Sequence, residues 1–145
     1  MGRGKNALRI TFLHKAVELI DFLSEFIQSK SNNQNPTDKK PQLTRLLEYL
    51  EQHYTEKITN KEIREYMNMS ESTLNRFLKK ETGRSLIVLV HHIRIHHAID
   101  LLRATSDKIG SIGYSVGFES PSDFCCIFKK EMGMTPLEFR EKTTL

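Results

Sequence analysis

Asn75 and Arg76 stand side by side in a stretch, 71–80, that also carries Ser72, Thr73, Lys79 and Lys80. These side chains suit base and phosphate recognition. Arginine offers a fork that grips guanine bidentately, asparagine does the same for adenine, and serine or threonine bonds a base edge or a phosphate. Lysine anchors phosphate, which positions without specifying. A stretch fifty residues further on, 121–130 with Ser120 ahead of it, offers Ser122, Asp123, Cys126, Lys129 and Lys130. Asp123 can accept from cytosine but repels phosphate.

Other chemistries compete with this one. In His91-His92-Ile93-Arg94-Ile95-His96-His97, His92 and His96 fall four apart on one helical face, a spacing that metals use. A metal site needs three or four ligands, and no carboxylate or cysteine in a matching motif lies nearby in sequence. The histidines therefore read as polar surface residues near phosphates, with no metal and no cofactor. Cys125 and Cys126 are the only cysteines. Neighbours rarely bridge each other, so a disulfide framework is not expected and a reducing compartment is. Oxidation there would add bulk or charge, yet nothing in the sequence points to a lowered thiol pKa. A glycine-rich phosphate loop, a nucleophile elbow and an acid/base pair on a recognisable scaffold are all missing, which argues against an enzyme. A protein–protein module, with the polar helices silent, is the alternative class. A mobility-shift assay without sequence preference on any DNA would favour it.

The elements that must position these side chains are written twice. Leu78 to Ser85 aligns with Phe128 to Thr135 at an offset of 50 residues, and the match continues back through Leu74/Phe124, Ser72/Ser122 and Ser70/Ser120. Before that the offset is 49, pairing Met69 with Phe118, Asn68 with Gly117 and Ile63 with Ile112. Each copy spells helix, turn, helix, over about 59–81 and 108–131. Thr59 and Glu62 form a capping box, Asn68 supplies a left-handed turn residue, and Ser70 caps a second helix that stops at Gly83. In the second copy Gly117 is the turn residue, Ser120 and Pro121 cap and open the next helix, and Gly133 stops it. Thr135-Pro136-Leu137-Glu138 starts a short closing helix. The first polar helix should bury Leu74 with Phe77 or Leu78.

Two more helices complete an all-α plan of seven, with no convincing strand. Pro41 opens one whose Leu43, Leu46, Leu47, Leu50 and Tyr54 share a face. A long helix over 86–104, free of Gly and Pro, joins the copies, with Leu86, Leu89, Val90, Ile93, Leu101 and Leu102 as its expected buried stripe. Upstream, 29–42 is polar, holds two prolines and reads as a linker. Before it an N-terminal amphipathic helix is expected over 1–28, with Leu13, Ala16, Ile20, Leu23 and Ile27 at coiled-coil spacing. So apolar a face must be buried, by homodimerisation through residues 7–28 or by docking on a domain outside this chain.

Bulk charge does not decide the partner. The chain of 145 residues has a net charge of +4, but residues 42–145 carry 15 Lys/Arg against 14 Asp/Glu. Placement of charge carries the argument. No run of eighteen apolar residues occurs, so no membrane span is expected. Lys15, Glu18 and Asp21 interrupt the apolar N-terminus and no small-residue cleavage site follows, so a signal peptide is not expected.

On these residues the sequence resembles a known family. Ile112, Val116-Gly117-Phe118, Ser120, Ser122, Phe124, Phe128-Lys129-Lys130, Gly133, Thr135-Pro136 and Arg140 match the most specific stretch of the AraC/XylS transcription regulators' DNA-binding domain. Met69-Ser70, Ser72, Leu74, Arg76, Lys79-Lys80 and Gly83 match in the first copy, and Arg94, Ala98 and Leu101-Leu102 in the connecting helix. The resemblance covers 43–142 and assigns 43–145 to this domain. It implies two helix-turn-helix subdomains joined by the long helix, with helices 71–80 and 121–130 in successive major-groove segments of double-stranded DNA. The implied role is sequence-specific binding that regulates transcription in the bacterial cytoplasm, at the nucleoid, with RNA polymerase left open as a further partner. A helix of nineteen residues spans roughly 28 Å, near the about 34 Å between successive major-groove faces, so one chain can straddle a turn of DNA.

Departures from the family pattern are specific. Arg64 and Gly113 stand where relatives usually have a small alanine. Gly113 costs some helix propensity, and Arg64 must lead its charge to solvent or to a carboxylate. Cys126 stands where relatives often have a DNA-contacting arginine, and Asp123 where an uncharged residue is common. The resemblance thus implies a weaker second reading helix. Relatives also carry a separate effector domain, for which 41 residues are too few. A longer chain, a partner or the protein's own abundance would have to supply the signal.

Overall fold

The computed structural model describes residues 42–144. The expected N-terminal helix and its dimer seam lie outside the described residues, as does the linker except Gln42, which instead opens the first helix. Among the described residues there are seven helices and no strand: α1 (Gln42–His53), α2 (Asn60–Met67), α3 (Glu71–Thr82), α4 (Leu86–Ala104), α5 (Ile109–Ser115), α6 (Pro121–Met132) and α7 (Pro136–Thr143).

The boundaries follow local chemistry. The Thr59 amide donates to Glu62 Oε2 at 2.8 Å while the Glu62 amide donates back to Thr59 Oγ1, closing the capping box of α2. Asn68 ends that helix at φ 55°, in the left-handed region. Ser70 and Ser120 accept the amides of Thr73 and Asp123 at the starts of α3 and α6, and Pro121 sits where α6 has no partner for an amide. A second capping box, Thr135 with Glu138, opens α7. Each hydroxyl satisfies one amide that the helix cannot.

Two apolar cores lie side by side. The first unites Leu46 and Leu50 of α1, Ile63 and Met67 of α2, Leu74 and Leu78 of α3, and Leu86, Leu89, Val90 and Ile93 of α4. The second unites Ile95, Ala98, Ile99 and Leu102 of α4 with Ile112, Val116, Phe118, Phe124, Phe128, Met132, Met134 and Phe139. Helix α4 is therefore an axle, its first half in one unit and its second half in the other. That corrects the expected single stripe. Leu101 is only half-buried, while His92, Arg94, Ile95, Ala98 and Ile99 are buried. A helix packed from two sides keeps little free surface, here chiefly at Ile87, Asp100, Arg103 and Ala104. Leu43 and Tyr54 are likewise half-buried, and Tyr54 lies beyond the end of α1.

Candidate nucleic-acid interface

Helices α3 and α6 present matching polar faces. In α3, Leu74 and Leu78 are buried one turn apart and Phe77 is half-buried, which turns Ser72, Thr73, Asn75, Arg76, Lys79 and Lys80 to solvent. In α6, Phe124, Phe128 and Met132 are buried, leaving Ser122, Asp123, Cys126, Lys129 and Lys130 exposed. The structure thus brings the expected residues together as two surfaces, six side chains on the first and five on the second. Ser120 is half-buried, and its hydroxyl is engaged by the Asp123 amide and carboxylate at the start of α6.

Some of these polar groups already have partners. Ser70 Oγ donates to Thr73 Oγ1 at 2.8 Å, and Ser120 Oγ donates to Asp123 Oδ2 at 2.8 Å. The Asp123 carboxylate is thereby held at the start of α6. It offsets the positive end of a helix that would otherwise favour an anion. Asn75 is exposed, but its counterpart Cys125 is half-buried against the second core, and burial pushes its thiol pKa up. Cys126, the counterpart of Arg76, is exposed.

The relative placement of the units depends on residues whose roles were not legible in the sequence. Arg94 donates through Nε to the Tyr54 carbonyl at 2.7 Å and through Nη2 to the Glu56 carbonyl at 2.8 Å, stapling the α1–α2 loop to the axle. Its guanidinium also lies 5.6 Å from the centre of the Phe118 ring, in the second unit. Gly117, at φ 101°, packs into the same junction; a Cβ there would stand 2.7 Å from the Tyr54 oxygen. Arg140 holds the α4–α5 loop in a comparable way, donating to the Asp107 carbonyl at 2.7 Å and more weakly to that of Leu102 at 3.4 Å. Arg94 and Arg140 both fall on the family pattern, the only sequence signal that marked them.

The histidines correct a sequence expectation. They are not freely solvated surface residues. His92 is buried, while His91, His96 and His97 are half-buried, because α4 is enclosed by both units. His97 contacts Glu51 Oε1 at 2.6 Å and stacks on Tyr54 with ring centres 4.1 Å apart. His92 joins Arg84 and Glu131. His96 lies 3.9 Å from Asp100. Among the described residues no three His, Cys, Asp or Glu side chains gather as a metal site would need.

Arg64 and Gly113 also acquire physical reasons. Arg64 Nη1 reaches Glu71 Oε2 at 3.6 Å, the carboxylate pairing its charge requires. Gly113 is more than a loss of helix propensity, because a Cβ there would lie 2.8–2.9 Å from Phe124 atoms. Phe124 fills the space that an alanine would need.

Two helix-turn-helix units on one axle, each presenting the polar face of its second helix, define a bipartite DNA-binding domain. Residues 63–142 match the helix-turn-helix domain family, and the chain belongs to the AraC/XylS branch of such domains. It is 31% identical over 100 residues to the bifunctional transcriptional activator/DNA repair enzyme AdaA of Bacillus subtilis, covering 69% of this chain and 47% of AdaA. The C-terminal domain of AraT, a response regulator from Geobacillus stearothermophilus, is 33% identical with a TM-score of 0.66, covering 70% of this chain and 85% of that one. A transcriptional regulator with an AraC-type DNA-binding domain from Chromobacterium violaceum is 28% identical with a TM-score of 0.67, covering 71% and 92%. The chain spans less than half the length of the curated relatives it matches.

Proposed function

We propose that this chain binds double-stranded DNA in a sequence-specific way and thereby regulates transcription in the bacterial cytoplasm, with α3 and α6 entering successive major-groove segments on one face of the duplex. The observation that carries this reading is the pairing of two exposed polar helix faces whose apolar backs are locked into the two cores of one axle. Arg76 and Asn75 supply bidentate readout of guanine and adenine. Lys79, Lys80, Lys129 and Lys130 anchor phosphates, and Ser72, Thr73 and Ser122 add hydroxyl contacts. Residues 7–28 serve self-association or docking on another domain, which their heptad spacing supports.

Selection of bound duplexes from random DNA, followed by footprinting on the winner, tests this. The expected footprint is two protected major-groove segments about one helical turn apart on one face. No enriched sequence would instead favour a protein–protein module. Deleting residues 1–36 should leave a soluble monomer that still protects both segments. A truncated chain that fails to fold would place that helix in the domain's core.

A further inference from the structure

The ends of the two reading helices meet over one buried side chain. Arg84 follows directly on Gly83, the cap that ends α3. Its Nη1 donates to His92 Nε2 in the middle of the axle. The opposite ring nitrogen, His92 Nδ1, lies 3.2 Å from Glu131 Oε2 in the last turn of α6, an electrostatic contact rather than an aligned hydrogen bond. The ring chemistry is self-consistent. Because Nε2 accepts from Arg84, the proton of a neutral imidazole sits on Nδ1, the side that faces the carboxylate. The His92 side chain is only 10% exposed and that of Glu131 20%, while Arg84 reaches in to them from the exposed surface.

We infer that Arg84, His92 and Glu131 form a positioning link that sets the spacing and relative angle of α3 and α6, and so the separation of half-sites the protein accepts. The inference rests on the DNA-binding reading above. The Arg94 junction ties the α1–α2 loop to the turn before α6 and engages neither the C-terminus of α3 nor that of α6. A hinge there would still let those C-terminal ends swing. The His92 link closes that freedom, because it connects the chain just beyond α3 to the last turn of α6 through a rigid ring.

Two measurements on the full chain test it. The first is affinity for duplexes in which one base pair is inserted between the half-sites of the selected operator. The wild type should lose about tenfold or more on insertion, since the second helix is then turned away from its groove. His92→Leu, which keeps an apolar shape without the link, and Arg84→Ala should lose only about twofold, with isolated half-sites bound as before. His92→Gln should restore the wild-type penalty, because its carbonyl can accept from Arg84 and its amide can donate to Glu131. The second is the distance distribution between spin labels on Glu65→Cys in α2 and the native Cys126 in α6, with Cys125→Ser and no DNA present. It should broaden in His92→Leu and in Arg84→Ala, and narrow again in His92→Gln. An unchanged distribution in both link-breaking variants overturns the inference whatever DNA does, and Arg84→Ala decides if His92→Leu does not fold. A broadened distribution in a protein that selects no DNA sequence upholds the link and rejects the DNA-binding reading.

Discussion

In the first helix-turn-helix unit Asn68 makes the turn, Arg64 stands inside α2 and the reading helix exposes Asn75 and Arg76. The second unit has Gly117, Gly113, Cys125 and Cys126 at the equivalent places. Its core is aromatic, with Phe118, Phe124, Phe128 and Phe139 in a chain of ring contacts, while Leu74, Leu78, Leu46 and Leu50 dominate the first. The large rings leave no room for a Cβ at 113, and the inter-unit junction leaves none at 117. The same backbone plan was therefore filled in two ways. The first unit keeps its chemistry on the outer face of α3, and the second gives up part of that face to packing. A repeat in sequence preserves the fold of each copy without preserving the same side chains on its outer face.

The largest expected difference lies at the turns. Gly117→Ala forces a side chain into φ 101° and against the Tyr54 carbonyl, and should cost about 3 kcal/mol or more. Asn68→Ala, at φ 55° without such a neighbour in view, should cost about 1–2 kcal/mol. Urea denaturation of both variants measures the gap; equal losses would mean that the junction tolerates a Cβ. Inside the opening helices the contrast narrows. Gly113→Ala overpacks Phe124 and should cost about 1–3 kcal/mol. Arg64→Ala breaks only a partly exposed ion pair, worth below about 1 kcal/mol.

Specificity should divide the units next. Arg76→Ala should relax discrimination in one half-site by about 1–3 kcal/mol, read by competition binding against half-site variants. Cys126→Ala should change little. Cys126→Arg should tighten binding to all sequences with an unchanged melting temperature, because position 126 is exposed. If Cys126→Ala harms binding as much as Arg76→Ala at unchanged stability, the asymmetry is wrong. The phosphate anchors, in contrast, should be equivalent. Lys79→Ala and Lys129→Ala should each flatten the logarithmic salt dependence by about one unit. A slope that responds to one lysine alone would extend the asymmetry to the backbone contacts.

The smallest effect concerns acid. Burial holds the His91 and His96 imidazoles below their usual value of 6.5, so the folded state prefers both neutral. That stability is complete above pH 6.5 and is lost as pH falls through the depressed folded values. Glu62 and Glu138, held low by the amides of their capping boxes, lose theirs only in the more acidic carboxylate range. Melting temperature followed from about pH 7.5 to 5.5 should therefore fall, and less so in His91→Gln. His91 stacks on Phe118, so the second unit should be the one that loosens first. An acid response identical in His91→Gln and wild type would remove His91 from it.

What the sequence determined by itself is the local grammar. Thr59 with Glu62, Asn68, Ser70, Gly83, Ser120 with Pro121, Gly133, and Thr135 with Glu138 mark helix ends where the structure has them, because a cap depends on a few neighbouring residues. The polar faces of α3 and α6 were legible for the same reason, since Leu74 and Leu78, or Phe124 and Phe128, leave only one side free. Only the tertiary structure decided what surrounds α4. Elements some forty residues away in sequence enclose it on two sides, and that distant packing buries His92, turns Arg94 into a staple on Tyr54 and Glu56, and makes Gly117 a point of close approach. Periodicity reports one buried face per helix. It has no means of reporting that a second core will arrive from the other side.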